Sequence, residues 1–376
     1  MTIVDGGSVT DAPRADGSSI SIRQSRGNRK IRIPGGRVLT ATPVFDTYWR
    51  FACKRQDAFM RRVHGDPPPW SDDPVISGHR FTNAYRASDR VSQYLIRHVQ
   101  YAGDQSAGEV FFRTLVFKLF NRIETWEHLV GALGEIRAKD FRQAQAETLL
   151  DRLLASGETV YSAAYIMPSP AFGAPRKHAN HLRLVEHMMR DQAPEKVATA
   201  KTMETVFALL RGYPSLGDFL AFQLTIDLNY STIANFSEMD FVVAGPGARD
   251  GIRKCFADVD GLSDADVIRA VADIADAEFS RLGLRFQHLW GRPLQLIDCQ
   301  NLFCEVDKYA RVVHPEFSGV SGRTRIKQRF LARVRPVPQW YPPKWNVTPV
   351  LPVAATTRTV PRQGALRQGA LFSELA

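Results

Sequence analysis

The spacing of the apolar residues restricts the fold of this sequence most, because it follows the period of an α-helix in one segment after another. Thr42 and Pro43 give a helix N-cap followed by proline at the first helical position. Apolar side chains then recur on one side of that helix, and Gly65 ends it. Similar patterns predict further helices at about 83–101, 106–121, 124–132, 140–155, 178–191, 196–211, 215–228, 247–256, 263–283 and 296–311.

Signals for β-strands are few. Short candidates are TVYSAAYIM at 159–167 and LRFQHLW at 284–290. The run GDPPPWSDDPVIS predicts a rigid loop, because three consecutive prolines cannot enter a helix or a central strand. Since strands do not alternate with helices along the chain, a doubly wound sheet is not expected. The sequence predicts a mainly α fold.

Charge and cysteine content restrict the function classes. A net charge of +10 and a pI near 9.6 favour a polyanionic partner, with nucleic acid as the first candidate, although many basic proteins bind none. Four widely spread cysteines are typical of a reduced, cytoplasmic protein. No apolar run is long enough for a membrane span, and the first residues lack an apolar signal core.

The two ends of the chain have the composition of tails. Residues 1–40 are rich in Gly, Ser and Arg, which predicts a basic flexible arm that lies along phosphates or only aids solubility. Residues 347–376 repeat RQGAL and are also predicted to be disordered. The helical part then occupies 41–346, and the pattern allows subdomains at 41–155 and 178–346.

A predicted helix over 83–101 carries a polar row at helical spacing. Its members are Arg86, Arg90, Gln93 and Arg97. Such a row can hold phosphates and base edges, and an ordinary solvated face has the same pattern. Arg80, Thr82 and Asn83 lie at the start of this helix, where anions bind readily.

Two apolar segments contain polar residues at helical spacing. In FLAFQLTIDLNYS, Gln223, Asp227 and Tyr230 need partners, because unpaired buried polar groups destabilise a fold. They form either a site or a structural network. In LIDCQNLFCEVDKYAR, a polar row lies beside the core face and consists of Asp298, Asn301, Glu305 and Lys308. This set could orient a nucleophile and move a proton, whereas the alternative is an exposed charged face.

The segment FVVAGPGARDGIRKCF contains a candidate phosphate site. Gly245-Pro246-Gly247 predicts a tight turn that leads directly into a helix. Free backbone N–H groups at such a helix start can hold a phosphate. The flanking cations are Arg249, Arg253 and Lys254.

The sequence gives no sign of a metal site or of a nucleotide-binding P-loop. No Cys/His cluster has the spacing of structural zinc. The P-loop pattern GxxxxGK[ST] is absent, because no Gly-Lys dipeptide occurs. No cofactor is firmly implied, and Mg²⁺ is compatible with phosphate chemistry without support from any residue pattern.

Several long segments, in order between about residues 42 and 346, carry a family resemblance. The chain resembles the helical domain of 5-hydroxymethyl-deoxyuridine DNA kinases and the related α-glutamyl/putrescinyl-thymine pyrophosphorylases. The segments are FDTYWRFACKRQDAFMRR, PPPWSDDPVISGHRFTNAYRASDRVSQYLI, FRTLVFKLFNRIETWE, FQLTIDLNYS, GPGARDGIRKCF, LIDCQNLFCEVDKYAR and YPPKWN. The resemblance implies base hypermodification of DNA in the cytoplasm of a bacterial or phage-infected cell. A 5-hydroxymethyluracil base is pyrophosphorylated at its hydroxymethyl group, and an amine or amino acid then displaces the pyrophosphate.

A weaker resemblance concerns the fold. VVAGPGARDGIRKC, followed later by Asp298, is similar to the helix-hairpin-helix DNA glycosylases. It implies a multi-helix, glycosylase-like domain with a hairpin-type DNA-binding element, in which Gly245 and Gly247 hold phosphate and Asp298 faces a flipped base. The separation of Gly245 from Asp298 is longer than that family usually has, and its iron–sulfur cysteine spacing is missing.

Together these features predict a transferase that displaces pyrophosphate from a flipped, modified thymine in DNA. Asp298 or Glu305 would deprotonate an amine or amino-acid co-substrate, and Asp227 is the third catalytic candidate. Arg86, Arg90 and Arg249 would neutralise the pyrophosphate. The substrate and phosphate contacts would be Arg80, Asn83, Arg86, Arg90, Gln93, Gln223, Asn229, Gln300, Asn301 and Lys308. The DNA backbone would be held by Gly245, Gly247, Arg249, Arg253 and Lys254.

Three other functions fit the same residues. The chain could be a helical DNA-binding domain that works with a separate P-loop DNA kinase. It could be a DNA glycosylase that excises a modified base and leaves an abasic site. It could also be a non-catalytic helical interaction module whose polar rows only form salt bridges.

Overall fold

The computed structural model describes residues 27–332 and 339–350, and within these ranges the chain is mainly α-helical, as predicted. The α-helices described there are α1 (Pro43–Val63), α2 (Pro74–Gly78), α3 (Arg90–Tyr94), α4 (Ala107–Phe120), α5 (Ile123–Leu133), α6 (Gln143–Ala155), α7 (Lys177–Arg190), α8 (Ala193–Thr199), α9 (Met203–Arg211), α10 (Asp218–Tyr230), α11 (Pro246–Cys255), α12 (Asp264–Asp273), α13 (Ala275–Arg281) and α14 (Leu296–Val313). The sequence predicts disordered termini, and the residues before 27 and after 350 lie outside the described ranges.

Helix α1 begins and ends where the sequence predicts. The Thr42 side chain accepts a hydrogen bond from the Val44 amide at 3.2 Å, and Pro43 occupies the first turn. Gly65 follows the helix with φ of +84°, a conformation that glycine adopts without steric cost. In the described ranges, no helix is both long and apolar enough to cross a bilayer.

A small antiparallel sheet corrects the prediction for the end of the basic arm. Its strands are β1 (Arg29–Arg32), β2 (Val38–Ala41) and β3 (Phe256–Asp258), in the order β1-β2-β3. Ile31 and Leu39 are paired in register and buried, so the sheet covers the core with this face. Residues 29–41 are therefore ordered, because the buried side chains of Ile31, Ile33, Leu39 and Ala41 anchor the hairpin on the core.

The strands predicted at 159–167 and 284–290 are wrong. Their carbonyl groups are bound by side chains instead of a neighbouring strand. The Val160 carbonyl accepts from Thr125 Oγ1 at 2.8 Å, and the Arg285 carbonyl accepts from Cys53 Sγ at 3.2 Å. With backbone acceptors satisfied in this way, the β-branched and aromatic residues do not need a ladder.

The predicted helix over 83–101 is interrupted. A short 3₁₀ turn at Arg86–Ser88 comes first, then α3, and then a π-helical turn at Leu95–Gln100. Asp89 lies between the first two with extended backbone, so Arg86 does not share a helical face with Arg90. Two other long predicted helices are also divided, into α8 and α9 and into α12 and α13.

Helix α10 lies between two buried apolar clusters. Phe222 and Ile226 belong to the first cluster, which also contains α1, α11, α12 and α14. Leu224 and Leu228 belong to the second, formed largely by α4 to α9. The clusters group the chain differently from the predicted subdomains 41–155 and 178–346, because the N-terminal helix α1 packs with the C-terminal helix α14.

Candidate functional site

The polar row of α14 holds the segment that precedes α3. Asn301 donates through its side-chain amide to Thr82 Oγ1 and to the Asn83 carbonyl, both at 3.0 Å. Glu305 accepts from the Thr82 amide at 3.0 Å, and Lys308 donates to Glu305 at 2.9 Å and to the Arg80 carbonyl at 3.1 Å. The polar residues beside the core of α14 thus fix residues 80–83 against the helix.

Asp298 continues this contact at the start of α14. One carboxylate oxygen accepts from the Arg86 amide at 2.9 Å, and the other accepts from the Gln295 amide at 3.0 Å. The second bond closes a capping box, which satisfies free N–H groups at the helix start. Asp298 is buried, and burial together with the charge of Glu238 raises the pKa of its carboxyl to about 7.

The Arg86 side chain turns into a buried ion network on α10. Its guanidinium is 3% exposed and lies 2.8 Å from Asp227, while its Nε donates to Gln223 at 2.9 Å. Lys118 reaches the other oxygen of Asp227 at 3.2 Å. Neither oxygen of Asp227 has a hydrogen bond of ordinary geometry, so the pairing is chiefly electrostatic.

The charges in this network change one another's protonation. Burial by itself lowers the pKa of Arg86, but the Asp227 carboxylate raises it well above its ordinary value, so the guanidinium stays charged. Burial and the nearby Arg86 charge lower the pKa of Lys118. One carboxylate therefore serves two cations, which leaves the group sensitive to the loss of Asp227.

The rest of the predicted arginine row lies apart from this network. Arg90 is half exposed and forms an ion pair with Glu124 at 3.3 Å. Gln93 is buried, donates to the Ala87 carbonyl at 2.7 Å and accepts from the Trp340 amide at 2.8 Å. Both the nitrogen and the oxygen of the Gln93 side-chain amide are thus bound to backbone groups of the protein.

The remaining predicted amide contacts also hold protein groups. Asn83 donates to the Ser88 carbonyl at 2.8 Å and accepts from Arg55 at 3.0 Å. Asn229 is bound to the backbone of Phe236 through both ends of its side chain. Gln300 is buried and its amide contacts Cys304 Sγ at 3.1 Å.

The glycines at the start of α11 are explained by close helix packing. A Cβ at Gly245 would lie 2.7 Å from the Phe219 ring, and one at Gly247 would lie 3.1 Å from Cys304 Sγ of α14. Residues 231–245 between α10 and α11 are irregular, so a tight helical hairpin of the predicted kind is not formed here.

The three cations of α11 have different environments. Arg249 and Arg253 are about half exposed and share Asp264, at 3.6 and 3.8 Å. The structure corrects the prediction that Lys254 contacts the DNA backbone. Lys254 is 1% exposed and lies 2.9 Å from Asp307, because it faces α14 from the buried side of α11.

Two surface pockets lie away from these residues. One, of about 660 Å³, is at the ends of α5 and α6 and includes Ile136 and Phe141. The other, of about 480 Å³, is beside α1 and includes Lys54 and Trp70. Within the described ranges, no group of three or more His, Cys, Asp or Glu side chains has the arrangement of a metal site.

Sequence reasoning missed one member of the buried site. Lys118 is the cation that shares Asp227. A lysine in the otherwise apolar segment LVFKLFN was the available signal, since a buried ammonium needs a carboxylate. Thr82, expected as a polar group before the helix, receives the contacts of Asn301 and Glu305.

Comparisons with known proteins agree with this helical architecture. The family described as "5-hmdU DNA kinase, helical domain" matches residues 42–319. A protein named "5-hmdU DNA kinase" from Bacillus phage SP10 is 29% identical over 292 residues, which is 72% of this chain and 45% of the relative. The match thus takes in less than half of that relative. No solved structure gives a significant match. The chain belongs to the family defined by the helical domain of 5-hmdU DNA kinases.

Proposed function

We propose that this chain binds DNA containing 5-hydroxymethyl-deoxyuridine and presents that base for modification, as a helical domain that works with a P-loop kinase. The name of the phage relative supports the modified nucleoside as the target. Phosphoryl transfer would come from a P-loop outside these 376 residues, since the motif is absent from them.

The family match over residues 42–319 carries this proposal, and the environment of Arg86 favours a positioning role for that residue. A pyrophosphate leaving group needs preorganised cations that are still free to receive charge. Arg86 is 3% exposed, and its guanidinium is already held by Asp227 at 2.8 Å and by Gln223 at 2.9 Å. A positioning role for the 80–86 segment, held by α10 and α14, therefore has better support than a pyrophosphate pocket around Arg86.

The direct test compares two duplexes that differ in one base. One contains 5-hydroxymethyluracil opposite adenine, and the matched control contains thymine. We expect the full chain to bind the modified duplex more tightly, with affinity that falls as salt rises, measured by fluorescence anisotropy. Equal affinity for both duplexes would exclude recognition of the modified base. Absence of binding at low salt would exclude a DNA-binding role.

The same DNA distinguishes binding from chemistry. After incubation with the chain and ATP, we expect nucleoside mass spectrometry to find the modified base unchanged. A gain of phosphate mass would make the chain itself a kinase, and an abasic site would make it a glycosylase. Either result would overturn the proposed division of labour.

A second candidate is the pyrophosphate-displacing transferase, with Asp298 as the base. The raised pKa of Asp298, about 7, favours it, because a carboxyl that titrates near neutral pH can exchange protons during a reaction. The substrate would be pyrophosphorylated 5-hydroxymethyluracil DNA with an amine.

The transferase is tested by Asp298→Asn, which should abolish formation of the heavier nucleoside while DNA binding survives. Asp250→Asn is the matched control, because Asp250 is a buried carboxylate that also accepts a backbone N–H, from Ser321 at 2.9 Å. Turnover retained by Asp298→Asn would exclude Asp298 from the chemistry.

A further inference from the structure

A row of cations follows α14, outside the segment that matches the family. The sequence RTRIKQR at 323–329 places Arg or Lys at every second position. No Asp or Glu occurs between Glu316 and Glu374. The alternation is typical of an extended segment with two different faces.

The structure holds this segment against the body of the molecule. His79 and Arg329 form an antiparallel bridge, with the Arg80 amide donating to the Gln328 carbonyl at 3.0 Å and the Phe330 amide to Gly78 at 3.2 Å. Arg311 of α14 donates to the Arg325 carbonyl at 3.1 Å. Backbone contacts at both ends thus fix the segment.

The two faces of the segment differ in character. Ile326 packs against the first apolar cluster, and the Phe330 ring lies 6.3 Å from that of Trp70. Arg325, Lys327 and Arg329 are exposed. In the described part of the chain, no carboxylate lies within 4.0 Å of these three cations, and no hydrogen bond of their side chains is found.

Unpaired cations in a fixed row repel one another, and a polyanion relieves that repulsion. In extended backbone, alternate side chains recur about every 6.6 Å, which suits a run of closely spaced phosphates. Arg323 and the two exposed cations of α11 are less available. Arg323 turns to Asp250 at 3.3 Å, and Arg249 and Arg253 share Asp264.

We propose that Arg325, Lys327 and Arg329 form a basic strand that contacts the sugar-phosphate backbone of DNA. The identity of the polyanion rests on the proposed function, whereas the location of the surface rests on the segment itself. Because phosphates are the same in every sequence, this strand would supply affinity and register without reading bases.

The test removes the three charges together in the full chain, as Arg325→Gln, Lys327→Gln and Arg329→Gln. Binding to a duplex is measured by anisotropy across a salt series. The slope of log K against log salt is negative. We expect its magnitude to decrease by about 2 to 3, because each lost phosphate contact contributes about 0.9. The loss should be the same for modified and unmodified duplexes.

Two controls accompany it. Arg142→Gln, Arg152→Gln and Lys201→Gln remove the same number of exposed charges beside the second cluster, and should leave the slope unchanged. Arg325→Lys, Lys327→Arg and Arg329→Lys keep the charges and should keep the slope. Circular dichroism checks that each variant is folded.

The outcomes separate the two proposals. If the natural chain binds with steep salt dependence and the triple Gln variant has the same slope, the basic strand is wrong and the proposed function stands. If the slope decreased as much in the variant Arg142→Gln, Arg152→Gln and Lys201→Gln, the basic strand would also be wrong, because the loss of net charge alone would explain the change. If the natural chain does not bind DNA at low salt, both proposals fail.

Discussion

Asp227 is the residue on which the buried ion network depends. Arg86 and Lys118 both face its carboxylate, and both are almost fully buried. Taking ions out of water costs several kcal/mol each, so the arrangement is stable only while the opposite charges are present together. The network is thus chiefly a means of fixing α10, α4 and the 80–86 segment to one another.

Asp227→Asn should therefore destabilise the chain strongly. The variant keeps the shape of the side chain but leaves two buried cations without their counter-charge, and we expect a loss of about 3–5 kcal/mol in the free energy of unfolding. Urea unfolding measures it. Glu124→Gln is the control, since its pair with Arg90 is about half exposed and should contribute less than about 1 kcal/mol. Similar losses in the two variants would contradict the prediction.

Asp298 makes a prediction about pH. Its folded pKa of about 7 lies above its ordinary value of 3.8, so over that window the folded chain holds a proton that the unfolded chain has released. The stabilisation from this bound proton is complete below the ordinary pKa of 3.8 and is lost as the pH rises to the folded pKa of about 7. The free energy of unfolding should therefore fall across this window and level off above it.

Asp298→Asn checks this assignment, because an amide does not titrate. Burial and the charge of Glu305 likewise raise the pKa of Asp89 to about 7, and burial raises the pKa of Glu238, so we expect the variant to lose part of the fall and not all of it. Unfolding is measured at several pH values. The same slope in the variant and the natural chain would exclude Asp298 as a source of the pH dependence.

At the scale of elements, helices α11 and α14 are in the closest contact. A Cβ added at Gly251 would overlap the Phe303 carbonyl, which is part of the backbone and cannot move away as a flexible side chain could. We expect Gly251→Ala to cost about 1–3 kcal/mol or more, measured by urea unfolding.

Gly131→Ala is the matched control for that substitution. Gly131 is exposed in α5 with no atom within 4 Å of an added Cβ, so alanine should stabilise the helix by about 0.5–1 kcal/mol. If both glycines tolerated alanine, the close approach of α11 to α14 would not be the reason for Gly251.

The elements that the sequence predicted well are those with local signals. Thr42 caps α1 as expected, and the apolar period places α14 within two residues of its predicted end. The break at Asp89 was missed: its carboxylate accepts from the Asn83 amide, and the Arg86 amide nearby is held by Asp298, more than two hundred positions away. Periodicity carries no information about such a contact.

The same distinction applies to the candidate site. The polar row of α14 was identified correctly as a set that lies beside the core, because its spacing is local. Its partners, Thr82 and the Arg86 backbone, come from another part of the chain. The sequence therefore placed Asp298 beside the core, but it did not indicate that backbone N–H groups would be its partners.

At the scale of the whole molecule, α10 joins the two apolar clusters. Phe222, Ile226 and Tyr230 recur at i, i+4 and i+8 and face the first cluster, while Leu224 and Leu228 face the second. Asp227 lies between the two faces and receives Arg86 and Lys118. Because both faces of α10 are buried, neither cluster can separate from this helix without exposing apolar surface.

We therefore expect the two clusters to unfold together. Ile226→Ala removes a fully buried side chain on the first face and should cost about 2–5 kcal/mol. Hydrogen exchange should then show the same loss of protection in α4, which belongs to the second cluster, as in α14, which belongs to the first. A loss confined to α14 would mean that the clusters open independently and that α10 does not couple them. In that case the ion network around Asp227 would be a contact between two separate folding units, and Asp227→Asn would also leave one of them intact.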